Sequence, residues 1–432
     1  MIDDKWIMGQ YFTSAVIRRH NYLPVMHEIN KEGTIMKKVV SLMLIAAMTV
    51  GLTACGSKTE EAASTDAAAE ETEAGEEAEG ETAATDGEKF VIGGLGPLTG
   101  AAASYGISVK QGAEIAVKEI NENGGVQVGD TTYTLELNFA DDEASEDKVI
   151  TAYNSLMDSG INALLGCVTS GACLAVIDQT YADGILQITP SGSAMGCTEY
   201  DNAFRLCFTD PLQGVTMADY AVDELGFTKI AIIYNNADEY STGIMEAFVE
   251  EAESKGAEIV ANEAFVTDDV DFKTQLTSIK ATDAEVIFVP AYYQDATYIT
   301  QQAKDLGMEL PFLGSDGWDG VLSTVTDPTT VEDAVFLSPF LASDPAVADF
   351  VSAYEEAYGA TPDQFAADGY DTVYVIKAAM EQAGSIESAD LIAAMTEIQV
   401  DGLTGSVKFT ADGEPEKGAK FVVIKDGEYT AK

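Results

Sequence analysis

Residues 90–125 read FVIGGLGPLTGAAASYGISVKQGAEIAVKEINENGG, and the fold follows from how this stretch is punctuated. Phe90-Val91-Ile92 opens an apolar run of strand type that ends in a Gly/Pro turn. Over 111–121, Ile115, Ala116, Glu119 and Ile120 keep helical spacing, and Asn123-Gly124-Gly125 supplies a stop signal. Working outward, 133–140 alternates as a strand, 146–157 reads as a helix and 161–166 as a short apolar strand. A helix over 171–181 and a strand over 185–188 continue the rhythm. Strand and helix in strict alternation predict a parallel sheet covered on both faces.

A second unit starts near Asp210. Helices over 215–225, 243–255, 272–281 and 296–306 alternate with strands over 229–234, 258–265, 286–289 and 311–314. Each crossover has the length of a right-handed strand–helix–strand unit. The expectation is an α/β protein with two doubly wound parallel-sheet lobes in tandem. The pattern alone does not assign the later helices, near 346–358 and 370–382, to either lobe.

Composition narrows the chemistry. The formal net charge is −50, which argues against nucleic acid or anionic lipid as a partner, since both require basic patches. The two histidines, His20 and His27, precede Met36, and the one arginine after it is Arg205. Without histidine the body loses imidazole acid–base catalysis, Ser-His-Asp and Cys-His pairs and most zinc sites. No enzyme activity, cofactor or metal is therefore expected. Gly94-Leu95-Gly96 lacks the third glycine of a dinucleotide loop, and no GK[ST] phosphate loop occurs. Asp141, Asp142, Glu143, Glu146 and Asp147 could hold a hard cation but read as a solvated loop and first helical turn.

Residues 36–55, MKKVVSLMLIAAMTVGLTAC, carry an address. Lys37 and Lys38 precede an apolar core of secretory-signal length, too short for a bilayer-spanning helix of about 20 residues. Leu52-Thr53-Ala54-Cys55 resembles the lipobox of bacterial lipoproteins, in which the cysteine is acylated. Residues 1–35 then read as an upstream extension, and 56–89, rich in Glu, Ala and Thr, as a disordered acidic tether. The expected location is extracytoplasmic, with membrane contact through the lipid anchor only. Four cysteines remain in the body, Cys167, Cys173, Cys197 and Cys207; an exported chain permits two bridges with three possible pairings, and free buried thiols are the alternative.

Ligands of open parallel sheets bind beyond the carboxyl ends of the strands, where strand order reverses. That rule nominates the loops 97–105, 166–170, 190–193, 235–240, 290–293 and 315–319. Ser170 opens a helix, whose free N–H groups favour an anion such as a carboxylate. Asp316 follows a strand and suits a cation such as an ammonium. Together they would clamp an amino acid. Ser170 equally fits an ordinary helix cap, Ser191 and Ser193 a turn after Pro190, and Asp316 a type I turn with Gly317. Trp318 is marked as functional because an indole on a Gly-rich loop is costly to expose.

Pro97-Leu98-Thr99-Gly100, Ala103-Ser104-Tyr105-Gly106, Gly112-Ala113-Glu114 and Ile120 to Gly125 resemble the leucine/isoleucine/valine-binding family, the type I periplasmic-binding proteins of ABC importers. The resemblance continues through Ile188-Thr189-Pro190, Phe204-Arg205, Ala303 to Gly307 and Gly314-Ser315-Asp316-Gly317. It implies two lobes joined by a three-crossover hinge, with 90–208 and 341–400 in the first and 209–340 and 401–432 in the second. It also implies a monomer that delivers a branched-chain or other apolar amino acid to an ABC permease. Ser170 and the turn Ser191, Gly192 and Ser193 would hold the α-carboxylate, and Asp316 the ammonium. Tyr105, Tyr240, Tyr292 and Tyr370 would line or lid the pocket. The loop after the second strand lacks a cysteine that some members have, and Thr169 stands in the place of its partner, so a bridge would be Cys167–Cys173 or Cys197–Cys207. An amide, urea or aromatic-acid site and a sensory ectodomain are the competing readings.

Overall fold

A computed structural model describes residues 87–432. The expected extension 1–35, the signal ending at Cys55 and the tether up to 86 lie outside the described residues. Glu88 and Lys89, assigned to the tether from sequence, already belong to the first strand. That strand, β1 (Glu88–Gly96), leads to α1 (Ala103–Glu122), β2 (Val126–Val128), β3 (Thr131–Asp141) and α2 (Glu146–Asp158). β4 (Ala163–Gly166), α3 (Ser170–Asp183), β5 (Gln187–Thr189) and β6 (Ala203–Arg205) complete the first run.

The second run comprises α4 (Asp210–Asp219), β7 (Lys229–Asn235), α5 (Glu239–Ser254), β8 (Glu258–Phe265) and α6 (Lys273–Lys280). It continues with β9 (Val286–Val289), α7 (Tyr293–Asp305), β10 (Phe312–Gly314) and β11 (Val335–Ser338). The chain then forms α8 (Ala348–Tyr358), α9 (Gln364–Ala383), α10 (Ser388–Ala394), the hairpin β12 (Val400–Gly402) and β13 (Gly405–Val407), β14 (Lys420–Lys425) and β15 (Glu428–Ala431).

Two sheets result. The first runs β2-β3-β1-β4-β5-β6, parallel except for β2. The second runs β15-β14-β11-β10-β9-β7-β8, parallel from β8 to β11 and antiparallel at β14 and β15. Strand order reverses beside β1 in the first sheet and beside β7 in the second, so both switch points open at the carboxyl ends of the strands. The central strands are buried along most of their length, as β4 and β9 show at every position, because helices cover both faces.

The chain passes between the lobes three times, at 206–209, 339–347 and 408–419. On its second passage it returns to the first lobe, where α9 packs along α1. The β12–β13 hairpin stays there too: the Asp371 carboxylate on α9 accepts from the Leu403 and Thr404 N–H groups at 2.8 and 2.9 Å. The changeover expected at 400 therefore falls after 407.

Of the helices that start earlier than their sequence periodicity suggests, α1 and α9 bear on the site. α1 begins at Ala103 rather than 111, because Gly106 and Gly112 do not break it but allow close approach. A Cβ at Gly112 would lie 1.8 Å from the Ala366 carbonyl oxygen on α9, and one at Gly106 1.9 Å from that of Pro97. α9 begins at Gln364 rather than 370, capped by the Asp363 carboxylate, which accepts from Ala366 N–H at 2.9 Å.

The cysteines take one of the two states that the sequence leaves open. Cys167, Cys173, Cys197 and Cys207 are all free thiols and all buried, so neither Cys167–Cys173 nor Cys197–Cys207 is bridged. Cys167, Cys173 and Cys197 pack with Leu95, Val149 and Val176 as small apolar groups. The acidic loop departs from expectation as well. Asp141 accepts from Leu98 N–H and the Thr99 hydroxyl, tying down the loop after β1, and Asp142 is fully buried with its carboxyl raised to about 6 by burial.

Candidate functional site

Four segments of the first lobe converge on three of the second. From the first come the starts of α1 and α9, the β4–α3 turn and the β5 turn. From the second come the ends of β7, β9 and β10. Between them lies a deep cavity of about 10 Å³, room for about one water, lined by Tyr105, Val168, Thr169, Ser170, Ser191, Tyr240, Tyr292, Asp316, Gly317 and Phe365. A larger cavity of about 600 Å³ adjoins it, sharing Thr169 and Tyr292, and opens toward solvent.

One wall of the deep cavity carries a buried carboxylate. Asp316 follows β10 and is almost wholly buried, and burial raises its carboxyl to about 6. The Tyr240 hydroxyl donates to Asp316 Oδ1 at 2.5 Å, accepts from Gly317 N–H at 2.8 Å and lies 2.7 Å from Ser315 Oγ. Two glutamines fix the backbone of Asp316. Gln213 Oε1 accepts its N–H at 2.9 Å from the second lobe, and Gln364 Nε2 donates to its carbonyl at 2.7 Å from the first. Around it stand aromatic rings: Tyr240 stacks on Tyr292 at 4.9 Å, and Tyr105 meets Tyr292 at 5.4 Å and Phe365 at 4.2 Å. A carboxylate backed by aromatic faces is an ammonium-binding arrangement.

The opposite wall offers donors. α3 begins at Ser170, so its first N–H groups face the cavity without intrahelical partners. Ser170 Oγ accepts from the Ser193 and Ala194 N–H groups, both at 3.1 Å, which leaves its own proton free to donate. The Thr169 hydroxyl, buried and on the same wall, has no hydrogen-bond partner among the described residues. Ser191 donates to the Val168 carbonyl at 2.6 Å.

Sequence reasoning brought six cavity residues together: Tyr105, Ser170, Ser191, Tyr240, Tyr292 and Asp316. Val168, Thr169 and Gly317 lie in the nominated loops 166–170 and 315–319 but were not singled out, and Phe365 was missed. Gly192 and Ser193 stand behind the cavity wall, because the turn folds back with Gly192 N–H donating to Thr189 Oγ1 at 2.7 Å. Trp318 is no cavity residue. It is fully buried beneath the β10 loop, and its indole N–H donates to the Val289 carbonyl at 2.8 Å. The glycine that suggested exposure makes room instead: a Cβ at Gly314 would lie 2.5 Å from the indole ring. Tyr370 is also elsewhere. With α9 starting at 364 it faces α1, where its hydroxyl donates to Glu119 at 2.7 Å, and Phe365 reaches the cavity in its stead.

Carboxylates dominate the outer cavity, including Glu143, Glu146, Asp238, Asp268, Asp269 and Asp295. Burial and then the neighbouring Asp238, Asp268 and Asp269 raise the Asp295 carboxyl to about 7. Behind the deep site Asp210 is buried, and burial pushes its carboxyl far up. Neither of its oxygens has a hydrogen-bond partner among the described residues.

Two lobes with a shared cavity at both switch points are now matched by the sequence comparison. Residues 89–428 match the model of the periplasmic binding protein family. The chain belongs to that family. A curated relative of this periplasmic binding protein, Leu/Ile/Val-binding protein homolog 3 of Brucella melitensis, is 31% identical over 305 residues, 70% of this chain and 81% of the relative. Among solved structures, the Streptococcus pneumoniae branched-chain amino acid transporter substrate binding protein LivJ, in complex with isoleucine, is similar at 30% identity with a TM-score of 0.74. The match covers 80% of this chain and 98% of LivJ. The leucine binding protein LivK of Thermotoga maritima is 26% identical with a TM-score of 0.73, over 79% of this chain and 97% of LivK.

Proposed function

We propose that this periplasmic binding protein captures a free amino acid with a branched or other apolar side chain and delivers it to an ABC permease, without covalent chemistry. One observation carries the reading: a buried carboxylate and a set of free hydroxyl and helix-terminal donors line opposite sides of one cavity. Asp316, with the rings of Tyr105, Tyr240 and Tyr292, suits the α-ammonium. Ser170 and Thr169 at the start of α3 suit the α-carboxylate, with Ser191, Gly192 and Ser193 forming the turn beside them, where the Ser191 hydroxyl is held by the Val168 carbonyl. Val168 and Phe365 supply apolar surface for the side chain.

The acidic outer cavity supports the same reading. Its carboxylates raise the local potential against anions, so a solute carrying only negative charge is disfavoured on approach. Ionised Asp316, almost wholly buried, also requires a cationic partner that an amide, urea or aromatic acid does not bring. The Leu/Ile/Val-binding relative and the isoleucine held by LivJ fit this chemistry. In this proposal the protein is an exported monomer anchored by a lipid on Cys55, with 56–86 as its tether.

A thermal-shift series on residues 56–432 tests the reading. Leucine, isoleucine or valine should raise the melting temperature with concentration, as binding to the native state requires. Stabilisation by urea, amides or aromatic acids with no response to any amino acid would refute it.

A further inference from the structure

Arg205 is the one arginine after residue 36, and its side chain is completely buried at the end of β6. It touches no cavity, yet almost every donor of its fork is used. Nη1 donates to the Gly192 carbonyl at 2.6 Å and Nη2 to that of Ala194 at 2.9 Å. Nε and Nη2 donate to Glu414 Oε2 and Oε1 at 2.8 and 3.0 Å. The Thr198 hydroxyl donates to Glu414 Oε1 at 2.5 Å, and Arg205 N–H donates to the Gly413 carbonyl at 3.0 Å. Glu414 lies in the third passage between the lobes, whereas Arg205 closes the strand that feeds the first.

We infer that Arg205 is a positioning residue for the ligand's carboxylate: clamped by Glu414, it caps the rear carbonyls of the 191–194 turn and so holds the Ser170 hydroxyl proton toward the cavity. The inference rests on the amino-acid reading above. With its Gly192 and Ala194 carbonyls held at the back, the turn directs the Ser193 and Ala194 N–H groups onto Ser170 Oγ, which leaves the serine proton to the cavity. Lysine would keep the charge but lose the planar fork that grips two carbonyls and a carboxylate together.

Three variants, R205Q, R205K and E414Q, test the inference, with L-leucine and L-leucinamide as titrants and the amide's affinity read by competition. R205Q should weaken L-leucine about 10- to 100-fold, the scale of a charge-assisted bond, while leucinamide changes less than about threefold. E414Q, whose amide oxygen still accepts, should show the same selectivity to a smaller degree. Equal losses for both titrants would reduce Arg205 to a fold-stabilising role and overturn the inference. Should R205Q fail to fold, the same ratio measured on R205K decides. A wild-type protein that binds no amino acid defeats the functional reading alone. The positioning role is then judged by hydrogen exchange: R205K should speed exchange at 192–197 without speeding it in the second lobe, and unchanged exchange there would overturn it.

Discussion

Replacing Asp316 with Asn removes one negative charge and almost no volume, so it isolates the ammonium contact. The backbone of residue 316 stays anchored by Gln213 and Gln364. Tyr240 can still donate to the amide oxygen. What is lost is a charge-assisted hydrogen bond in a nearly water-free site, worth about 1.5–3 kcal/mol, or about 10- to 150-fold in dissociation constant. Isothermal titration of wild type and D316N with L-leucine and with 4-methylpentanoate, the same skeleton without the ammonium, separates the effects. Leucine should weaken by that factor, and 4-methylpentanoate should hold or tighten, because a repelling charge is gone. Without ligand, D316N should melt higher than wild type, since a desolvated carboxylate gives way to a neutral amide. A fall of less than threefold for leucine, or an equal fall for both titrants, would remove Asp316 from ammonium recognition.

Stability and affinity should respond to pH in opposite directions. Burial raises Asp142 and Asp316 to about 6, Asp295 to about 7 and Asp319 to about 8, so the folded chain keeps protons that the unfolded chain has released. Their contribution is full below the ordinary carboxylate range and is lost as pH rises through about 6 to 8, so the ligand-free melting temperature should climb from pH 8 to pH 5. Leucine affinity should instead fall below about pH 6 as Asp316 protonates, and parallel trends would contradict the assignment. Gly112→Ala should destabilise by about 1–3 kcal/mol in urea melts, despite a helix-propensity gain of about 1 kcal/mol, because its Cβ meets the α9 backbone; unchanged stability would show that the helices part freely. Maleimide should label Cys167, Cys173, Cys197 and Cys207 only after denaturation, and failure of any pair to label would reveal a bridge. Gln364→Leu, which removes a bond from the first lobe to the Asp316 carbonyl, should weaken leucine and 4-methylpentanoate by the same factor, and a selective loss would contradict this.

The alternation of strands and helices was legible because central strands buried on both faces read as apolar runs, and each is followed by a helix of crossover length. The strand-end rule then found Ser170, Ser191 and Asp316, whose side chains sit where the chain leaves a sheet. Phe365 was missed for a definable reason. Residues 364–369 are buried at every position, so the start of α9 has no polar face to mark it, and the periodic signal emerges only later, near the misassigned Tyr370. Trp318 was misread because glycine in a loop suggests exposure, whereas Gly314 makes room for the indole. Gln213 and Gln364 were illegible in principle. They bond to backbone atoms of Asp316 contributed by distant parts of the chain, and no local pattern encodes such a meeting.

The contacts across the cleft divide into two kinds, and the division explains how one site can both close and discriminate. Tyr105 donates to the Gly317 carbonyl and accepts from Tyr293 N–H, while Gln364 holds the Asp316 carbonyl and donates its N–H to Asp319. These bonds join the lobes mostly through backbone atoms and take no account of what lies between them. They must part before an amino acid enters a cavity with room for about one water, so hinge opening is a requirement of entry. The groups left for a ligand are others: the Thr169 hydroxyl, the Ser170 proton, and the Asp316 carboxylate, whose Tyr240 partner is neutral. A solute can shift the lobe equilibrium only by what it gains more in the closed state than in the open one. A zwitterion satisfies all three groups at once, whereas an amine or an acid alone leaves one wall of the cavity desolvated and unmatched.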